Sequence, residues 1–153
     1  MPIIRRETVV PYSTSQMFML VNHVEDYPKF IPYCKSTTIL SQTAEEIEVR
    51  LDFAKGGLHK SFTTHNRLQL DKMVHIRLLD GPFSQLEGFW LFDSLPTGCH
   101  VRLNLEFEFS SKWIAMAFGP LFNTITNTLV DVFCQRAQEV YGDTCGSVTP
   151  VTR

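Results

Sequence analysis

The stretch DYPKFIPYCK, residues 26–35, gathers Tyr27, Phe30 and Tyr33 around two prolines, Pro28 and Pro32. Rings in such number can close one end of a hydrophobic core, or they can rim the mouth of an apolar pocket and stack on what enters it. DGPFSQLEGFW, residues 80–90, poses the same choice, with Phe83, Phe89 and Trp90 following a Gly81-Pro82 turn. Covalent chemistry finds no comparable concentration. The cysteines at 34, 99, 134 and 145 lack both C-x-x-C spacing and a histidine pattern for zinc, so buried reduced thiols and no metal are expected. No nucleophile–base pair or glycine-rich phosphate loop is visible, and the charged residues mostly fall on the wet side of the strands described below. That pattern predicts no catalytic residues and no enzyme.

Charge points to a different kind of contact. The chain carries a net charge of −2, yet residues 50–77 hold Arg50, Lys55, Lys60, Arg67, Lys72 and Arg77 against Asp52 and Asp71. Such a stretch can meet an anionic surface, RNA or lipid head groups, through Lys55, Lys60 and Arg67, or it can simply be a solvated sheet face. Residues 113–130 carry no charge, but Asn123, Thr124, Thr126, Asn127 and Thr128 make them a poor bilayer span and a better core helix. The arginines at 5 and 6 stand where a signal peptide needs its apolar stretch, so a cytoplasmic location is expected, with the inner-membrane surface as a candidate contact.

The elements that must position these residues are mostly strands. After a strand at about Ile3–Val10, PYSTSQMF starts a short helix. Ser13 serves as cap and Gln16 completes a capping box, and the prolines of DYPKFIPYCK then predict a bent, extended connection, with Tyr27 and Ile31 restrained by the proline that follows each. IEVRLDF alternates Ile47, Val49, Leu51 and Phe53 against Glu48, Arg50 and Asp52, and CHVRLNLEFEF alternates in the same way from Cys99 to Phe109. SFTTHNRLQL and VHIRLL read as further strands. Turns are expected at Lys55-Gly56-Gly57, at Asp71-Lys72 and at Gly98. A last helix runs from about Ser111 to Tyr141, with a kink expected at Gly119-Pro120, and turns a stripe including Phe118, Phe122, Ile125, Leu129, Phe133 and Val140 to the core. These elements predict one α+β domain over 1–142 and a mobile tail over 143–153. The expected architecture is a curved antiparallel sheet gripping a long C-terminal helix, with an apolar tunnel between them.

DYPKFIPYC, KGGLHKSFTTHN, LLDGPFSQLEGFWLF and AFGPLFNTITNTLVDVFCQRAQEVYG together resemble the coenzyme-Q-binding START-domain family, within the polyketide cyclase/START-like superfamily, and most closely its bacterial RatA branch. The resemblance implies a helix-grip (START-like) fold and ubiquinone or another polyprenyl quinone as bound ligand, in support of respiration. For the RatA branch, a ribosome-association toxin, it also implies binding to the large ribosomal subunit that blocks subunit association. Cyclases of polyketide chains share the fold. On the quinone reading, Tyr27, Phe30, Tyr33, Phe83, Trp90, Phe118, Phe122, Ile125, Leu129 and Phe133 are the expected ligand contacts, DYPKFIPYCK is the tunnel mouth, and Asn123, Thr124 and Asn127 are candidate partners for quinone oxygens.

Overall fold

A computed structural model describes residues 3–142; the tail expected over 143–153 lies outside the described residues. Strands β1 (Ile3–Val10), β2 (Cys34–Gln42), β3 (Glu46–Lys55), β4 (Leu58–Gln69), β5 (Met73–Asp80), β6 (Phe83–Leu95) and β7 (Gly98–Phe109) form one antiparallel sheet in the order β1-β7-β6-β5-β4-β3-β2. Between β1 and β2 lie helix α1 (Thr14–Asn22), a 3₁₀ turn (Val24–Asp26) and a single-turn helix α2 (Tyr27–Phe30). Helix α3 (Lys112–Tyr141) closes the chain of elements.

Alternation governs the strands. In β7, Cys99, Val101, Leu103, Leu105 and Phe107 are buried while the residues between them are partly or fully exposed, so one face of the sheet is apolar along its length. Register shifts at Cys34/Ser36, Ile39/Ser41, Thr63/Thr64 and Phe83/Gln85 place bulges in β2, in the β4–β5 pairing and in β6, where extra residues bend and twist the sheet. The β3–β4 hairpin closes on Gly56-Gly57 with Lys55 opposite Leu58, and Gly56 supplies the positive φ of 60° that such a tight turn requires.

Both helix starts follow from local chemistry. The Ser13 hydroxyl accepts from the Gln16 backbone N–H at 3.0 Å while the Gln16 side chain accepts from the Ser13 N–H at 2.9 Å, the capping box expected of the sequence. Ser111 caps α3 by accepting from the Ile114 N–H at 3.2 Å. Over its 30 residues α3 spans roughly 45 Å, enough to cross the whole sheet. It remains one helix through Pro120, and it buries Phe118, Phe122, Ile125 and Phe133 against the apolar sheet face. Val140, expected on that stripe, is 48% exposed, because Val130, Phe133 and Ala137 carry the buried side of the last turns.

The proline segment departs from its expected conformation at Tyr27, which is helical at φ −51° and ψ −42°. Pro28 falls in the first turn of α2, where its missing N–H has no intrahelical partner to lose, so the turn closes despite the preference of the preceding residue for extended backbone. Ile31 is extended at φ −81° and ψ 123°, as its position before Pro32 requires.

Candidate functional site: a cavity under the long helix

A cavity of about 100 Å³ lies between the concave sheet face and α3. The 3₁₀ turn and α2 close one side through Val24, Tyr27 and Ile31, and the sheet supplies its floor from β3 to β7. From α3, Phe122, Ile125, Leu129 and Phe133 complete the wall. The expected tunnel is therefore a small chamber that α2 caps. A larger groove of about 650 Å³, bounded by Phe109, Ala115, Gly119 and Asn123, lies on the outer side of the start of α3 and stands open to solvent.

The expected contacts divide by position. Tyr27, Trp90, Phe122, Ile125, Leu129 and Phe133 line the chamber. Phe30 sits behind this wall, its ring edge-on to Tyr27 at 6.0 Å and to Phe133 at 5.2 Å. Phe83 and Phe118 belong to a ring cluster with Phe107, Phe109 and Phe122 that fills the core where α3 begins. Tyr33 is 38% exposed, with φ 65°, and the Lys55 ammonium lies 5.2 Å from its ring centroid on the outside of the grip.

The polar helix residues point elsewhere. Asn123 and Thr124 are exposed, and Thr124 donates back to the Pro120 carbonyl at 3.0 Å. Asn127 donates to the Asn123 carbonyl at 2.8 Å and accepts from the Arg6 guanidinium. None of the three lines the chamber. Beside the Tyr27 hydroxyl and the Trp90 indole, its polar surface comes from Thr64 and Asn66 on β4 and Thr126 on α3, the buried polar side chains among the described residues. The signal for the β4 pair was present in SFTTHNRLQL: Thr64 and Asn66 share the parity of Phe62 and Leu68, and so must face inward with them.

The Thr64 hydroxyl donates to the Asn66 carboxamide oxygen at 3.0 Å, and the Thr126 hydroxyl donates to the Phe122 carbonyl at 2.9 Å. Among the described residues lining the chamber, Tyr27 is the one titratable side chain. Burial raises its pKa and its hydroxyl donates to the Val21 carbonyl, so it remains a neutral phenol. No group of three histidine, cysteine, aspartate or glutamate side chains converges among the described residues as a metal site would need.

The basic stretch is not one patch. Lys55 and Lys60 lie opposite Leu58 and Phe53, on the concave parity beside the β3–β4 turn, whereas Arg67 projects from the convex face. On that convex face most charges pair across strands: His65 with Glu46 at 2.6 Å and Glu48 at 3.3 Å, His75 with Glu87 at 2.6 Å, His100 with Glu7 at 3.0 Å and Arg102 with Asp93 at 2.8 Å. Arg50 reaches Asp52 at 3.4 Å. Burial works to raise the Asp52 carboxyl pKa, but hydrogen bonds from Ser61 and Ser36, with Arg50 beside it, hold it below the usual value. No helix among the described residues is long and apolar enough to cross a membrane.

Residues 10–134 match the family model described as polyketide cyclase / dehydrase and lipid transport. The chain is 43% identical over 141 residues to a protein of Vibrio cholerae named ribosome association toxin RatA, covering 92% of this chain and 98% of the relative. It is 25% identical over 136 residues to the mitochondrial coenzyme Q-binding protein COQ10 of Dictyostelium discoideum, covering 86% of this chain and 66% of that one. A START superfamily protein of Mycobacterium smegmatis superposes with a TM-score of 0.75 at 18% identity, over 90% of this chain and 98% of that one, which supports the fold. With a seven-stranded sheet gripping one long helix around an apolar chamber, and with these matches along nearly its whole length, the chain belongs to the polyketide cyclase / dehydrase and lipid transport family, among relatives named ribosome association toxin RatA.

Proposed function

We propose that this protein binds a polyprenyl quinone inside the helix grip and supports respiration as a carrier or chaperone rather than as an enzyme. The observation that carries the reading is the chamber itself, an apolar enclosure with polar atoms confined to Thr64, Asn66, Thr126, the Tyr27 hydroxyl and the Trp90 indole. A quinone combines a ring bearing two carbonyls with a long apolar tail, and this enclosure offers what such a ring needs. Acid–base chemistry needs ionisable groups within reach of a substrate, and the chamber offers only a neutral phenol. At about 100 Å³ the chamber is well below the roughly 300 Å³ at which drug-sized ligand pockets begin. Binding therefore requires α2 or α3 to move outward and admit the tail.

Mass spectrometry of an organic extract of protein purified from a quinone-making host tests the reading. Wild type should carry quinone, and Leu129→Asp, which places a carboxylate on the chamber wall, should carry far less than Glu108→Ala on the exposed end of β7. Equal quinone in all three, or none in wild type, would sink the proposal.

The relatives support a second reading, association with the large ribosomal subunit that blocks subunit joining, since proteins named ribosome association toxin match at 42–43% identity over 92% of the chain. Arg67 has no ion pair among the described residues and is available to phosphate on the convex face. Sucrose gradients of ribosomes with added protein would register a loss of joined ribosomes. Binding through phosphate must weaken steeply with salt.

A further inference from the structure

Two hydrogen-bond donors on residues that line the chamber have no acceptor among the described residues. The Asn66 carboxamide accepts from Thr64 through its oxygen, but among the described residues its amide N–H groups donate to nothing, although the residue is only 7% exposed. Trp90, 3% exposed, has an indole N–H in the same situation while its ring is packed by Phe92 and Phe133. Neither nitrogen is among the fully occluded atoms without a partner in the described residues, which are Asp71 Oδ1, Arg102 Nε and Arg136 Nε, so each keeps open space in front of it for an acceptor. Both residues line the chamber. The hydroxyl protons of Thr64 and Thr126 are already spent on Asn66 and Phe122, so the donors left for an occupant are these two N–H groups.

Their placement follows from the register. Asn66 pairs with Ile76 on β5, and Val74, two residues before it, pairs with Trp90 on β6. Two strand spacings across and two residues along put the Cα atoms about 12 Å apart. On a concave face the side chains lean towards each other, so the gap suits a six-membered ring with opposed oxygens and a hydrogen bond of about 2.9 Å at either end. The chamber of about 100 Å³ is smaller than the roughly 150 Å³ apolar cavity that accepts a benzene, so the ring as well as the tail enters only as α2 or α3 moves outward.

We infer that the chamber is a receptor for a dicarbonyl ring, with Asn66 Nδ2 and Trp90 Nε1 each donating to one carbonyl oxygen, so that the ligand enters head first and its tail occupies the seam opened between α2 and α3. This rests on the quinone reading and adds to it the orientation of the ligand and the two residues that recognise it. The site distinguishes a quinone from a plain hydrocarbon lipid of the same width. It does so because only the quinone satisfies the two donors.

Duroquinone and durene share a tetramethylated six-carbon ring and differ by two carbonyls, and the full substitution of duroquinone leaves no ring position for thiol addition. Their affinities are measured by equilibrium dialysis for wild type, Trp90→Phe, Asn66→Leu and the double variant, with folding checked by circular dichroism. Wild type should prefer duroquinone. Each single variant should weaken it by roughly two- to twelvefold, the worth of one hydrogen bond, and leave durene unchanged, and the double variant should show no preference. Trp90→Phe keeps the ring and decides alone if Asn66→Leu does not fold, since Thr64 loses its acceptor in that variant. Equal wild-type affinity for both compounds, or variants that weaken both alike, overturns the inference. Organic extracts separate this failure from that of the parent reading. If wild type and both single variants carry the same amount of native quinone, the two donors play no part while quinone binding stands; if wild type carries none and takes up neither ring, the chamber holds only water and both fall.

Discussion

Phe133 is the ring through which α3 meets both α2 and β6. It is 1% exposed and meets Tyr27 at 5.5 Å, Phe30 at 5.2 Å and Trp90 at 5.2 Å, each edge-on. Phe133→Ala should cost about 3–5 kcal/mol in urea unfolding, with Leu129→Ala costing less because that side chain is only partly buried and already borders empty space. Thiols give a second residue-scale expectation. Burial pushes the Cys34, Cys99 and Cys134 thiols up to about 11, against roughly 8.5 for an unfolded cysteine. The folded state then holds protons that the unfolded state releases, so their contribution is intact below about pH 8.5 and is lost as pH rises towards 11. Urea midpoints should be level from pH 7 to 8 and fall above pH 9, and these three thiols should resist alkylation at pH 8 until the protein unfolds. A midpoint that rises through pH 10 would contradict the assignment.

Among the elements, the β6–β7 hairpin meets the end of β1 at Gly98. Gly98 has φ 158°, and a Cβ there would lie 1.9 Å from the Val10 carbonyl oxygen, a backbone atom held in the β1–β7 ladder. Gly98→Ala must therefore displace a strand end and should lower the melting temperature by several degrees. Gly57 in the β3–β4 turn has nothing within 4 Å of the same position, so Gly57→Ala should leave the melting temperature within about a degree. Comparable losses in both would mean that the conformational cost of replacing glycine, not the contact with Val10, sets the effect.

For the whole molecule, the division of the basic residues between two faces gives each proposed association its own test. Lys55 and Lys60 stand beside the β3–β4 turn near Tyr33, and Arg67 stands on the convex face among charge pairs. The double variant Lys55→Glu/Lys60→Glu should reduce sedimentation with anionic vesicles and leave ribosome gradients unchanged, whereas Arg67→Glu should do the reverse. All three side chains lie away from the core clusters, so circular dichroism should not change. If one variant abolished both associations, a single surface would have to serve both partners.

The sequence by itself determined what depends on neighbours a few residues away. Period-two alternation set which faces of IEVRLDF and CHVRLNLEFEF are dry, Ser13 with Gln16 set the start of α1, and Ser111 set the start of α3, because caps and pleats are satisfied locally. The rings of the expected contacts were likewise legible as apolar, but not their division. Phe83 and Phe118 pack a solid ring cluster while Trp90 and Phe133 border a void, a difference fixed by how far the bulged sheet curves away from α3. Tyr27 became helical because α2 docks beside β2 and buries part of its ring on Phe133, a long-range contact that outweighs the local restraint from Pro28. Asn66 was readable as inward by parity, yet its unpaired amide depends on what faces it from β6 and α3, and only the folded chain brings those residues to it.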